Sequence, residues 1–310
     1  MRSPARGLPT CAWLLCVALL CVALLCGSRA HAAPDRLTIV ADGHELALWV
    51  KSAPAPRATL LLIHGRTWSS LPNFDLAVTG DNRSVLDALA LRGYAAYALD
   101  LRGYGASTRD STGWLTPTRA VADVRAALDF IAARHPRVSA RPALIGYSRG
   151  AQVAVMLAQG DPRAASALVL FGFPPGVRQT TAHDADTPRR APTTAAAAAE
   201  DFITPGAASR AVIDAYVAAA LAADPVRVDW RNESEFAFEP AKVMMRTLMI
   251  YGVNDPFRNA ASATFFEKLA TPDRAYVVLP DSDHAAHVEN SGAAWVHSID
   301  GFLQAPRAKE

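Results

Sequence analysis

The chain has 310 residues, 51% hydrophobic and 19% charged, a balance that belongs to globular proteins and excludes disordered and coiled-coil classes. Lys and Arg (31) nearly cancel Asp and Glu (29), leaving a formal charge of +2, so bulk electrostatics make no case for a nucleic-acid or membrane-surface partner. All four cysteines (Cys11, Cys16, Cys21, Cys26) fall in the leader described next, which leaves the mature chain without disulfides, a cysteine nucleophile or a thiolate metal site.

Residues 1–32 read as a signal peptide. Arg2 and Arg6 precede an apolar run at 12–26, and Ala30-His31-Ala32 supplies small residues where a signal peptidase reads. Cleavage is expected after Ala32, giving an exported chain, periplasmic or secreted. The run is about 15 residues against the roughly 20 of a spanning helix, so no membrane span is expected in the mature form. The alternatives are an uncleaved leader anchor or a lipid anchor through Cys26, although Leu25 is larger than a lipoprotein signal prefers.

A hairpin is expected at 37–41 and 45–50 around Asp42-Gly43. Apolar runs follow at 58–63, 94–99, 143–145, 167–171, 247–251 and 275–279, each the pattern of a strand buried on both faces. Helical spacing marks 118–134, where Val121, Val124, Leu128 and Ile131 recur, and begins again at Gly150. The alternation predicts an α/β fold with a mostly parallel central sheet flanked by helices. It stops between about 174 and 240, where Pro174-Pro175, a polar region at 183–190, an alanine tract at 195–199 and a helical pattern at 210–223 follow one another. That stretch is expected to form a helical cap over the carboxyl edge of the sheet, inserted into one domain at 33–310. The competing reading is a loosely ordered linker.

Gly146-Tyr147-Ser148-Arg149-Gly150 joins a strand directly to a helix. A serine there sits in a tight turn with its hydroxyl pushed above the sheet, and the glycines permit close backbone approach. A serine hydroxyl is a weak nucleophile and needs a base, which in turn needs an orienting acid. Asp255 lies just past the strand at 247–251, and His284 just past the last strand. Asp281 and Asp283 are rival acids on the loop of His284 itself, and His287 is a rival base. His64 reads as structural, Asp100 and Arg102 as loop braces, and His44, His183 and His297 as surface residues.

With these motifs in place the mature chain resembles the α/β-hydrolase superfamily, in its serine-hydrolase, esterase- or lipase-like branch. The resemblance rests on His64-Gly65, Asp100-Leu-Arg-Gly-Tyr-Gly-Ala-Ser107, the turn at Ser148, Gly252-Val-Asn-Asp255 and His284, in that order. It implies that Ser148, Asp255 and His284 form the triad and that the 174–240 insertion is a lid or cap. It also implies that His64-Gly65 opens the oxyanion loop, with the backbone N–H groups of Arg66 and Arg149 as the donors.

Arg66 and Arg149 depart from the apolar residues common at these places; a guanidinium turned into the pocket could pair with a substrate carboxylate, whereas one turned away would form salt bridges. A serine nucleophile argues against the dehalogenase and epoxide-hydrolase branches. The expected activity is cleavage of a small-molecule carboxylic ester, or related acyl bond, through an acyl-enzyme. Amide or peptide cleavage, carbon–carbon hydrolysis and acyl transfer on the same triad are alternatives, as is a non-catalytic binding protein. No cofactor is called for; the nearest metal-ligand set is His284 and His287 with Asp281 and Asp283. Oligomeric state is not legible.

Overall fold

In the computed structural model, described over residues 32–138, 140–176 and 187–306, each apolar run becomes a strand of one eight-stranded sheet. The leader, its cleavage boundary and His183 fall outside or at the edge of the described residues. Strands β1 (Asp35–Ala41) and β2 (His44–Ser52) form the expected hairpin, turning on Asp42 and Gly43 at φ 51° and 74°. Paired positive φ values match the twist of the flanking strands. Then come β3 (Ala58–Ile63), β4 (Tyr94–Leu99), β5 (Ala143–Tyr147), β6 (Leu168–Phe171), β7 (Thr247–Gly252) and β8 (Arg274–Leu279).

The sheet order is β1-β2-β4-β3-β5-β6-β7-β8; β2 runs antiparallel to β1 and β4, and the remaining pairs are parallel. Side chains alternate across it. Leu61 and Ile63 of β3 join one buried cluster and Leu60 and Leu62 the other, so this strand needs apolar residues at successive positions. Burying each such Leu or Ile contributes about 1.5–3 kcal/mol.

The described helices are α1 (Ser70–Phe74), α2 (Val85–Leu91), α3 (Pro117–Arg134), α4 (Arg149–Gly160), α5 (Ala195–Ala199), α6 (Arg210–Ala223), α7 (Ala260–Glu267) and α8 (Gly292–Gln304), and those other than α5 and α6 cover both faces of the sheet. The start of α3 is encoded locally. The Thr116 side chain accepts from the Arg119 N–H, and Pro117 occupies the first turn, where no N–H is needed. Its buried stripe is Ala120, Val124, Ala127, Leu128 and Ile131. Short α1 and α2 carry too few turns for a periodicity to show, and sequence reading passes over them.

The insertion between β6 and β7 contains α5, α6 and the short extended segment Asp229–Trp230, which pairs in parallel with Trp114–Leu115. Its described part is packed: Val212, Tyr216 and Ala220 of α6 bury against Trp68, Leu76, Ala285 and Val288 from segments at the sheet rim. Among the described residues no helix is long and apolar enough to cross a membrane.

Candidate active site

Sheet register decides which loops meet. Ile63 lies opposite both Leu99 and Gly146, Tyr147 opposite Phe171, and Gly252 opposite Leu279. The residues after β3, β5, β6, β7 and β8 therefore emerge along one rim. Ser148 occupies the link from β5 to α4 with φ at +52°, a strained value for a residue with a side chain. The turn closes only because its flanks are bare. A Cβ on Gly146 would lie 2.5 Å from Cα of Ala151, and one on Gly150 would lie 2.4 Å from the carbonyl oxygen of Ile63.

His284 Nδ1 donates to Oδ2 of Asp255 at 3.0 Å, and Oδ1 of Asp255 accepts from the Phe257 N–H at 2.8 Å. Burial opposes a proton on His284, but the charge and hydrogen bond of Asp255 outweigh it and raise its pKa above the ordinary histidine value. Ser148 and His284 line one cavity of about 270 Å³. Neither the Ser148 hydroxyl nor Nε2 of His284 has a hydrogen-bond partner among the described residues, so both present open valences beside the same space. Gly172, directly after β6, makes room for the imidazole: a Cβ there would lie 2.6 Å from its Cε1.

The rivals separate cleanly. Asp283 is fully buried and accepts from the backbone N–H groups of Ile203 and Thr204 at 2.9 and 2.5 Å, so it fastens the insertion to the rim. Asp281 is exposed in the turn before it. His287 packs among Phe74, Tyr147, Phe171 and Trp295, with neither ring nitrogen partnered, and burial lowers its pKa to about 3. It precedes α8 in a turn rather than opening that helix.

His64 is fully buried; Nε2 accepts from the Leu101 N–H at 3.1 Å, which leaves Nδ1 to donate to the Gly65 carbonyl at 2.9 Å. Burial lowers its pKa to about 4, keeping it a neutral spacer between two rim loops. Gly65 lets that loop lie close over the elbow, since a Cβ would sit 3.2 Å from Cε1 of Tyr147. The backbone N–H groups of Arg66 and Arg149 bond to no protein acceptor among the described residues. Tyr104 donates its hydroxyl to the Arg66 carbonyl and accepts from the Trp230 indole N–H at 2.8 Å. Asp100 and Arg102 brace loops: Asp100 accepts from Trp49, Ser70 and Ala106, and Arg102 forks onto Asp123. His297 is exposed, but His44 is not a plain surface residue; half-buried, it ties the hairpin to the Thr108 carbonyl at 2.7 Å.

The insertion supplies the rest of the cavity lining. Glu233 forks onto Arg66 at 2.7 and 3.1 Å and also accepts from Arg149 at 2.5 Å. Sequence reading sets salt bridging and pocket lining as alternatives for these arginines; both side chains do both. Asp201 also lines the cavity and has no hydrogen-bond partner among the described residues. Burial raises its pKa, against the pull of His284. Sequence reading misses Glu233, Asp201 and Gly172. Only Gly172 carries a signal, a glycine at the end of a parallel strand on the rim where ligands bind. Among the described residues no cluster of three or more His, Cys, Asp or Glu could hold a metal ion.

This sheet order, with a serine at the strand–helix turn and an Asp-held histidine on the same rim, is that of the α/β-hydrolases. The chain belongs to that superfamily: the family model described as serine aminopeptidase, S33, matches residues 54–291. Solved structures with the same fold include an α/β-hydrolase fold protein from Chitinophaga pinensis (18% identity, 89% of this chain and 99% of that one, TM-score 0.64). Others are a hydrolase from Pseudomonas aeruginosa (22%, 88% and 98%, 0.62) and a thermophilic esterase from Thermogutta terrifontis (17%, 87% and 98%, 0.59). No curated protein matches the chain.

Proposed function

We propose that this hydrolase cleaves carboxylic esters of small molecules through a Ser148–His284–Asp255 triad. The observation that carries the reading is the imidazole of His284, fixed through Nδ1 by Asp255, with Nε2 open to the cavity that Ser148 shares. In the reaction, Ser148 Oγ attacks the ester carbonyl while Nε2 takes its proton. The N–H groups of Arg66 and Arg149 stabilise the oxyanion, and the proton passes to the departing alcohol. Water then repeats the sequence on the acyl-enzyme. The Oγ–Nε2 contact closes in the substrate complex, where catalytic hydrogen bonds commonly tighten. The esterase among the structural relatives supports acyl chemistry on this fold, and Ser148, where other branches use a carboxylate, favours it further. The leader pattern at 1–32 supports an activity outside the cytoplasm; a secreted or periplasmic product beginning at Ala33 is the corresponding measurement.

The test is hydrolysis of nitrophenyl esters of graded chain length by the wild type and Ser148→Ala, with fluorophosphonate labelling of Ser148. A loss of roughly a thousandfold or more is expected in the variant. Undiminished turnover by Ser148→Ala, or label on another residue, would discard the assignment.

A further inference from the structure

Two arginines share one carboxylate at the mouth of the oxyanion loop. Arg66 spends both terminal nitrogens on Glu233, whereas Arg149 spends only Nη2. Two positive charges against one negative leave an excess of +1 beside Ser148, in a cavity that all three side chains line. Nε and Nη1 of Arg149 and Nε of Arg66 have no hydrogen-bond partner among the described residues, and none is sealed in the core. The Arg149 guanidinium is also held in place, 4.8 Å from the ring of Phe236 and 5.3 Å from that of Trp230. A cation fixed by two rings presents its remaining donors at little further entropic cost. Burial lowers the Arg149 pKa, so its charge is costly where it stands and favours a further anion nearby.

The cavity is electrically polarised. Asp201, with no hydrogen-bond partner among the described residues, feels the charges of His284, Glu200, Asp283 and Asp255, whereas Arg149 feels chiefly those of Glu233 and Arg66. A substrate carboxylate is repelled from the first end and drawn to the second, which sets the orientation of the ester over Ser148. We propose that Arg66 and Arg149 form an anion subsite and that the ester hydrolysed carries a free carboxylate, on its acyl or its alcohol part. With Glu233 holding the Arg66 fork, the substrate carboxylate takes the donors left open, Nε and Nη1 of Arg149 and Nε of Arg66. At about 270 Å³ the cavity lies at the small end of ligand pockets, which suits a short acid rather than a long-chain lipid.

The inference rests on the hydrolase reading above, and the experiment separates the two. Two aryl esters, 4-nitrophenyl hydrogen adipate and the butyrate of 4-hydroxybenzoic acid, are each compared with their own methyl esters, at low salt, by the ratio of kcat/KM. At least one acid is expected to exceed its neutral partner by about tenfold or more, as a charged hydrogen bond contributes, and added salt should erode the preference. Arg149→Met and Arg66→Met should each lower that ratio by about tenfold, whatever happens to the absolute rates, and Arg149→Lys should restore part of it. Glu233→Gln, which removes the competing carboxylate, should raise it. Opposite signs are what a merely structural ion pair would not give. Wild-type ratios near one for both pairs, or ratios that move the same way in all the variants, overturn the subsite while Ser148-dependent hydrolysis stands. If no ester is turned over, the hydrolase reading fails by itself. Calorimetry of monomethyl adipate against dimethyl adipate on Ser148→Ala then decides the subsite, equal affinity counting against it.

Discussion

On the sheet side of the cavity, Ser148, Asp255 and His284 stand one to five residues beyond strands whose register is locked by continuous backbone pairing and by two apolar clusters. On the insertion side, Trp230 and Phe236 join one of the same apolar clusters, whereas the carboxylates of Glu233 and Asp201 depend on polar contacts nearby: the fork to Arg66, the bond from Arg149 and the hydrogen bonds of Ile203 and Thr204 onto Asp283. The first wall is rigid because moving any member breaks many buried interactions together. The polar side chains of the second are held by hydrogen bonds and ion pairs worth about 1–3 kcal/mol each, so Glu233 and Asp201 can shift with less loss than the buried rings beside them. On the reading proposed above, chemistry falls to the sheet side, and selectivity and pKa tuning to the polar side chains of the insertion.

Four measurements bear on that division, beginning with the largest effect. Asp255→Asn keeps the shape of the triad but cannot accept the Nδ1 proton as a carboxylate does, so kcat for an aryl ester should fall roughly ten-thousandfold. A loss under tenfold would move the essential acid elsewhere. Tyr104→Phe removes the hydroxyl that joins the insertion, through Trp230, to the carbonyl of Arg66. With the oxyanion loop less firmly held, kcat should drop by about tenfold while KM changes little. An effect confined to KM would show that the link holds substrate rather than the loop.

Asp201→Asn tests the insertion's hold on protonation. In the proposed reaction His284 acts as the neutral base, so activity is expected to fall as pH drops through its pKa, which Asp255 and, less strongly, Asp201 raise. Removing the Asp201 charge lowers that pKa and should move the acidic limb of the kcat/KM profile toward lower pH, by less than about one unit. A shift toward higher pH would contradict the charge assignment. The smallest effect concerns stability beneath the rim. Burial raises the Glu289 pKa to about 9, from 4.5 in a solvated chain. The folded state thus keeps a proton that the unfolded chain releases, so this stabilising share is complete below pH 4.5 and is lost as pH rises toward 9. Glu289→Gln should therefore raise the melting temperature over wild type by a few degrees at pH 8, a gain that diminishes toward pH 4.5.

Much of the fold is legible in order along the chain, because strands buried on both faces need unbroken apolar runs and α3 needs its cap, its proline and its stripe. The Ser148 turn is legible for the same reason: neighbours one and two residues away define its geometry. What sequence cannot separate is similar residues competing for one role. His284 and His287 differ only in where the last loop carries them, one against Asp255 and the other into an aromatic pocket. Asp283 is as near to His284 in sequence as an acid can be, yet it faces the N–H groups of the insertion.

The amino-acid order thus determined the α/β alternation, the strained serine turn and the three rim loops that bear Ser148, Asp255 and His284. Tertiary structure alone decided that Glu233 reaches back 167 residues to Arg66 and 84 to Arg149, and that Asp201 and His284 line one cavity. Local patterns reflect steric and apolar demands within a few residues. An ion pair across a cavity leaves no local pattern, since any surface glutamate reads the same until the chain folds around it.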